Sequence, residues 1–249
     1  MTMRALLLGV ALMVAGAEQS APSVPVLVEL FTSEGCSSCP PADVLLSRLA
    51  SESVPGAQVI ALGLHVDYWD EQGWKDPASM REATARQSAY ARALGNGDRI
   101  YTPQLVVDGR DEMIGTDAAA VKQAIAEALK HPRAGVRLTV DVDGGALVAR
   151  GSVTDLPAEA AKESVEAILA VTEDDLTNVV KRGENSGRTL HHDAVVRALV
   201  SMGSLRAPGD VRQRATLKPE WRRDRLRAVV FLQGRKSQRI WGVGTAPIQ

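Results

Sequence analysis

Apolar and polar positions follow two rhythms along the first half of the chain. Val26-Leu27-Val28-Glu29-Leu30-Phe31 is a short β-rich run, and it predicts a strand. Val44, Leu45 and Leu49 then recur at helical spacing. Val59 to Val66 is almost continuously apolar, as a strand covered on both faces should be. Asp76-Pro77 reads as a cap followed by proline at the first helical position. Met80, Ala83, Tyr90 and Leu94 follow on one face until Gly95 stops the helix. Gln104 to Val107, a turn at Asp108-Gly109 and Glu112 to Ile114 predict a hairpin. Thr116 reads as the cap of a last helix whose inner face carries Val121, Ile125 and Leu129. The order β-α-β-α-β-β-α implies an α/β sheet with a terminal hairpin.

The second half changes character. Arg137 to Val142 alternates with period two, and Asp143-Gly144-Gly145 turns into Ala146 to Val153. Further strand candidates are Ser164 to Thr172, Ala194 to Val200, Val211 to Leu217, Leu226 to Leu232 and Ile240 to Val243. Ala158 to Glu163 has room for one turn of helix. Several short strands between polar turns predict an all-β, sandwich-like domain. The break His131-Pro132-Arg133-Ala134-Gly135 places the boundary, giving domains over 18–133 and 134–249. Charge shifts at the same point, from −6 over Glu18 to Arg133 to +4 over Ala134 to Gln249. The basic run Arg222 to Arg227 reads as a solvated strand face able to dock on the acidic first half.

Composition narrows the classes. With 29 basic against 30 acidic residues and 4% aromatics, nothing points to nucleic acid as a partner. Met1 to Arg4 is short and basic, Ala5 to Ala17 is apolar or small, and Ala15-Gly16-Ala17 suits a signal peptidase. Residues 1–17 therefore read as a secretory signal, with a buried helix or uncleaved anchor as the alternative. No later stretch is long and apolar enough for an integral membrane segment, so the mature protein is expected to be exported, periplasmic or secreted.

Export changes how the cysteines read. The chain has two, Cys36 and Cys39. A bridge between them closes too small a loop to add much stability through chain entropy, so chemistry explains the pair better. The pair lies between the first strand and the first helix, where free N–H groups and the helix dipole favour a thiolate on Cys36. The spacing lets Cys39 resolve a mixed disulfide. The competing reading is a copper(I) module or metallochaperone held by Cys36, Cys39 and His65; zinc would want more ligands. Tyr68, Trp69 and Trp74 follow His65 at the C-terminal end of the second strand, on the edge where open α/β sheets place their sites. They are candidates to wall a peptide groove or shield the pair. Thr102-Pro103 precedes the hairpin, and spacing alone leaves a cis bond and an ordinary trans proline both open. In the second half, His191 and His192 are neighbours on one strand and face opposite sides, which disfavours their sharing an ion.

A strand, a CxxC opening a helix, and Thr-Pro leading into a hairpin and final helix resemble the thioredoxin superfamily over about Val24 to Lys130. More closely, Glu29 to Asp43, His65 to Asp70 and Tyr101 to Gly109 look like an exported bacterial family catalogued as domain of unknown function 1223. Glu184 to Leu190 with Val195-Val-Arg197 matches the second half of that family. The resemblance implies a thioredoxin-like first domain with a cis Thr102-Pro103 bond against the disulfide. Pro103 and Thr102 would then meet substrate chain. Glu29 stands near the place of the superfamily's buried acid and is the expected general base for Cys39. Gly35 and Ser37-Ser38 depart from the usual Trp and Gly-Pro, which leaves the redox direction open.

The sequence thus predicts an exported thioredoxin-like thiol–disulfide oxidoreductase. Cys36, Cys39, Pro103 and Glu29 would be catalytic, and Thr102, Tyr68, Trp69 and Trp74 would contact a protein thiol or disulfide. No organic cofactor beyond the redox-active disulfide is implied, but an unidentified redox-recycling partner is. A non-catalytic protein-interaction module built on the second half is a further alternative.

Overall fold

The computed structural model describes residues 23–248. The signal-like segment 1–17 lies outside the described residues. In chain order the first half forms β1 (Val24–Thr32), α1 (Pro40–Ser51), β2 (Ala57–His65), α2 (Arg81–Ala93), β3 (Gln104–Val107), β4 (Asp111–Ile114) and α3 (Ala118–Ala128). The second half forms β5 (Gly135–Asp143), β6 (Ala146–Thr154), α4 (Ala158–Glu163), β7 (Val165–Glu173), β8 (Leu176–Val179) and β9 (Thr189–His192). It ends with β10 (Val195–Leu205), β11 (Gly209–Thr216), β12 (Leu226–Gly234) and β13 (Ile240–Pro247). Among these helices none is long and apolar enough to cross a membrane.

The expected elements form where the periodicity places them, but two helix starts differ. Asp76 does not cap α2, which begins at Arg81 after Met80. Its carboxylate is engaged elsewhere, by His65 and the Glu34 amide. Asp117, not Thr116, caps α3 by accepting from the Ala120 amide at 3.0 Å. The hairpin turn is as expected: Asp108 and Gly109 both have positive φ, which a two-residue turn matched to strand twist requires. A side chain at Gly109 would put its Cβ 2.2 Å from the Gln238 carbonyl oxygen, so only glycine fits.

The fold is mixed α/β, built on an eight-stranded sheet in the order β13-β12-β7-β10-β2-β1-β3-β4. β1 and β2 are parallel, and β3 runs antiparallel to β1. Strands from both sides of Arg133 share this sheet, because β10 docks parallel to β2 with Val195 opposite Gly63. The strands of the second half are therefore divided: β13, β12, β7 and β10 join the large mixed sheet, and β11-β6-β5 form a separate antiparallel three-stranded sheet. Pairing with β10 removes an open edge from β2, which is the physical gain of a shared sheet.

One face of the first-half strands, with Val26, Val28 and Leu30, packs on Leu46, Leu49, Val121 and Ile125 of α1 and α3. On the second half, Leu147 and Ala149 of β6 cover Leu169, Val230 and Leu232. The opposite face joins Leu27, Phe31, Leu62 and Leu64 to Tyr90, Val229 and Phe231. The end of the sheet curls back, so that the Ile240 amide donates to the Asp108 carbonyl at 2.8 Å. The basic run Arg222 to Arg225 pairs with Glu173 and Asp175 of its own half rather than with the first half.

Glu29 and Arg86 pin this inner face. Both are buried, Arg86 Nε lies 2.5 Å from Glu29 Oε1, and Arg86 also donates to Gln233 on β12 at 2.7 Å. The Tyr90 hydroxyl completes the cluster by donating to Glu29. Removing one partner of such a pair strands the other charge without solvent. Arg86→Ala should lose about 3–5 kcal/mol in urea unfolding. A loss within the few tenths typical of surface changes would show that the pair does not hold α2, β1 and β12 together.

Candidate functional site

The site forms at the C-terminal ends of β1 and β2. After Thr32 the chain turns tightly: the Cys36 amide donates to the Ser33 carbonyl at 3.2 Å, and the Gly35 amide to Ser33 Oγ at 3.0 Å. Cys36 and Cys39 are joined by a disulfide with Cα atoms 5.4 Å apart. Both are buried, at 1% and 0% exposure, although Ser37 and Ser38 between them face solvent.

The helix start differs from the sequence expectation. Cys39, not Cys36, occupies the N-cap, and Pro40 and Pro41 follow it. Prolines carry no N–H, so the first helical donors are Ala42 and Asp43, and both bond the Cys39 carbonyl. Free donors for a Cys36 thiolate are thus fewer than at an ordinary helix N-terminus. Its Sγ instead has the Ser38 hydroxyl at 3.3 Å.

Glu34 is the hub beside the pair. It is buried, and its Oε2 accepts from Trp74 Nε1 at 2.8 Å and from Asn178 Nδ2 at 2.7 Å. Its Oε1 faces His192 Nε2 at 3.3 Å. The other His192 nitrogen faces the buried Asp43 carboxylate at 3.8 Å, so neither nitrogen has a hydrogen bond of ordinary geometry. The His192 and His65 rings meet edge to face, 4.8 Å between centroids. His65 Nδ1 in turn sits 2.7 Å from Asp76, whose Oδ2 also accepts from the Glu34 amide.

Three carboxyl groups and two imidazoles therefore share one buried cluster. Burial opposes charge on His65, but the Asp76 carboxylate outweighs it and holds the imidazole up at about 9. Asp76 is correspondingly held down at about 2, its burial overcome by the His65 charge. Asp43 goes the other way: burial raises its pKa, against the lowering influence of His192, His65 and the Thr32 hydroxyl.

The residues expected at the site divide into two groups. Thr102-Pro103 is cis. Pro103 lies beside the first turn of α1, since a Cβ on Gly115 would be 3.1 Å from Pro103 Cβ and 3.0 Å from Ala42 Cβ. Trp69 bridges the two segments: it packs over Gly35 and its Nε1 donates to Thr102 Oγ1 at 2.8 Å. Trp74 joins through Glu34, while Tyr68 packs among the apolar residues under β2 and its buried hydroxyl has no hydrogen-bond partner among the described residues. Glu29 is the correction. It sits on the opposite face of β1 from α1, saturated by Arg86 and Tyr90, and is not available to Cys39. His65, the third candidate copper donor, has its Nδ1 engaged by Asp76 at 2.7 Å. Among the described residues no group of three or more His, Cys, Asp or Glu is placed to hold a metal ion.

Sequence reasoning missed the contribution of the second half. The loop between β8 and β9 covers the pair: Asn185 Nδ2 donates to the Glu34 and Cys36 carbonyls, both at 2.9 Å, and Glu184 accepts from the Ser37 amide at 3.0 Å. His192 is the buried member of its pair and His191 the exposed one, as strand alternation requires. A polar loop carrying Glu184, Asn185 and a buried-phase histidine was the available signal.

Fold and site together define a mixed α/β protein with a shielded CxxC disulfide at a strand-to-helix junction. The chain belongs to the family described as protein of unknown function (DUF1223), which it matches over residues 27–233. It is similar to the crystal structure of protein AGR_C_4864 from Agrobacterium tumefaciens, with 26% identity and a TM-score of 0.69, over 92% of this chain and 96% of that one. It also shares its fold with HBP35 of Porphyromonas gingivalis, at 14% identity and a TM-score of 0.64, over 92% of this chain and 77% of the other. No curated protein matches the sequence.

The His65–Asp76 pair gives the fold a signature in pH. A histidine raised from 6.5 to about 9 stabilises fully below 6.5, and that stabilisation is lost as pH rises through about 9. The acid limb mirrors it: stability linked to Asp76 is present above its ordinary 3.8 and is lost as pH falls through about 2. Thermal melts should show the alkaline decline in the native protein and lose that component in His65→Gln. An unchanged alkaline profile in the variant would contradict a charged His65.

Proposed function

We propose that the protein is an exported, thioredoxin-like thiol–disulfide exchange protein acting on protein thiols. The observation that carries this reading is the chain's only cysteine pair, disulfide-bonded at the β1–α1 junction with cis-Pro103 beside the same helix turn. Export rests on the signal-like segment 1–17, and the thioredoxin-like reading on the order of β1 to α3.

In the oxidising direction a substrate thiolate attacks Cys36 Sγ, and the Cys36–Cys39 bond breaks with its electron pair leaving on Cys39. The mixed disulfide on Cys36 is then attacked by a second substrate thiolate, which releases Cys36 as thiolate and the substrate as disulfide. Two electrons and two protons pass from a protein dithiol to the pair, and the reducing direction reverses each step. A recycling partner must restore the starting state.

The acid–base role expected of Glu29 falls to Asp43 in this scheme. Cys39 already has helical dihedrals, and Asp43 follows one turn later, its amide bonded to the Cys39 carbonyl. Side chains at i and i+4 share a face and lean toward the N-terminus, which puts the Asp43 side chain on the helix face of Cys39. Raised by burial, that carboxyl accepts and returns the Cys39 proton more readily than an ordinary aspartate.

Reduction of a peptide disulfide by the reduced protein should vanish in Cys36→Ser, while in Cys39→Ser the Cys36 thiolate should still form a mixed disulfide with the peptide, expelling its other sulfur, and fail to release it. Asp43→Asn should slow release about 100-fold at neutral pH, with the rate recovering as pH rises. Full activity of Cys36→Ser would sink the proposal, and a pH-independent Asp43→Asn profile would remove Asp43 from it.

A further inference from the structure

Three backbone groups flanking Cys36 are held by side chains of two successive residues from the other half of the chain. The Glu34 and Cys36 carbonyls take the Asn185 amide, and the Ser37 amide gives to Glu184. Arg188 fixes the Asn185 amide by donating to its Oδ1 at 2.8 Å, so both Nδ2 hydrogens point at the cysteine turn. The loop is closed on itself: the Gly187 amide donates to Val180 and the Val180 amide to Arg188. Its Gly183 packs directly on Trp74, and Asn178 at its root bonds Glu34. Asn185 is fully buried, whereas Glu184 is exposed.

This arrangement seals a disulfide that a macromolecule must reach. Cys36 is 1% exposed and the loop holds the backbone on both sides of it, so a protein thiolate needs a local opening to reach its sulfur. If the loop lifts, the Glu34 carbonyl and the Ser37 N–H lose these partners and the Cys36 carbonyl is left with the Cys39 amide at 3.2 Å alone, and buried backbone groups do not stay unpaired. An extended polypeptide that brings its sulfur to Cys36 carries matching N–H and C=O groups at that place.

We propose that the turn Glu34–Ser37 is a main-chain docking site for an extended cysteine-containing polypeptide, and that the loop 180–188 is its resident occupant, displaced on binding. Recognition through backbone groups makes the site tolerant of substrate sequence around the cysteine. Asn185 is the latch and Glu184 its partner, and both act by position rather than by touching the reacting sulfurs. The inference rests on the thiol-exchange reading and adds to it the substrate class and the gate.

The test follows reduction of the oxidised mature protein by a short unstructured peptide dithiol. Asn185→Ala removes two hydrogen bonds from the closed form and should speed the reaction about tenfold or more. Glu184→Ala, an exposed change that leaves folding intact, should speed it by a smaller factor. Hydrogen exchange on the unaltered protein gives an independent reading with a serine analogue of the peptide, which binds without reacting. On binding, the Asn185 side-chain Nδ2 hydrogens should lose protection while the Ser37 amide keeps it. Native-like rates in both variants, or an Asn185 side-chain amide that stays protected when the analogue binds, would overturn the gate while leaving exchange standing. If a small phosphine reduces the pair but the peptide dithiol reacts with neither native protein nor variant, the exchange reading itself fails and this inference with it.

Discussion

One backbone hydrogen bond sets the geometry of everything at the site: the Gly63 amide donates to the Ala194 carbonyl at 2.8 Å. It fixes where β10 meets β2, and β9 ends only two residues earlier. The docking therefore carries His192 to His65 and lays the β8–β9 hairpin over the cysteine turn. The second half of the chain is thus part of the site, not an appendage to it.

The cluster so formed is unusually charged for its burial. Carboxylates are normally excluded from such places unless each finds donors. Here Glu34 has Trp74 and Asn178, Asp76 has His65 and two backbone amides, and Asp43 has the loosely placed His192 and the Thr32 hydroxyl. The least satisfied carboxyl is also the one raised by burial, and it is the one a helical turn from Cys39. Glu29 shows the contrast: on the other face of β1, tied by Arg86 and Tyr90, it serves the packing of the sheet.

Much of the fold was legible because the strands and helices bury one or two continuous faces, which leaves a period in the sequence. The run Val59 to Val66 and the Asp108-Gly109 turn are clear examples. β8 and β9 left no such trace, since each is four residues long and half exposed. The shared sheet was hidden for a different reason: β10 meets β2 through main-chain groups, which carry no side-chain signature. At the site, the cysteine pair and Thr102-Pro103 could be read locally. Asp76 was misassigned because an Asp-Pro step looks like a helix cap, and only the fold reveals His65 as the competing partner. Glu29 failed as the general base because strand parity decides which face a residue takes, and its partner Arg86 lies on α2.

The central claim is that the Cys36–Cys39 disulfide is a working redox pair behind a gate rather than a fixed brace. The direct measurement is its equilibrium with graded glutathione buffers, approached from both the oxidised and reduced sides and read by thiol trapping and intact mass. A single reversible two-electron transition between roughly −270 and −120 mV is the expected result, within the range of known exchange proteins. A pair that stays oxidised throughout the series, from either starting state, would contradict it and make the bond structural.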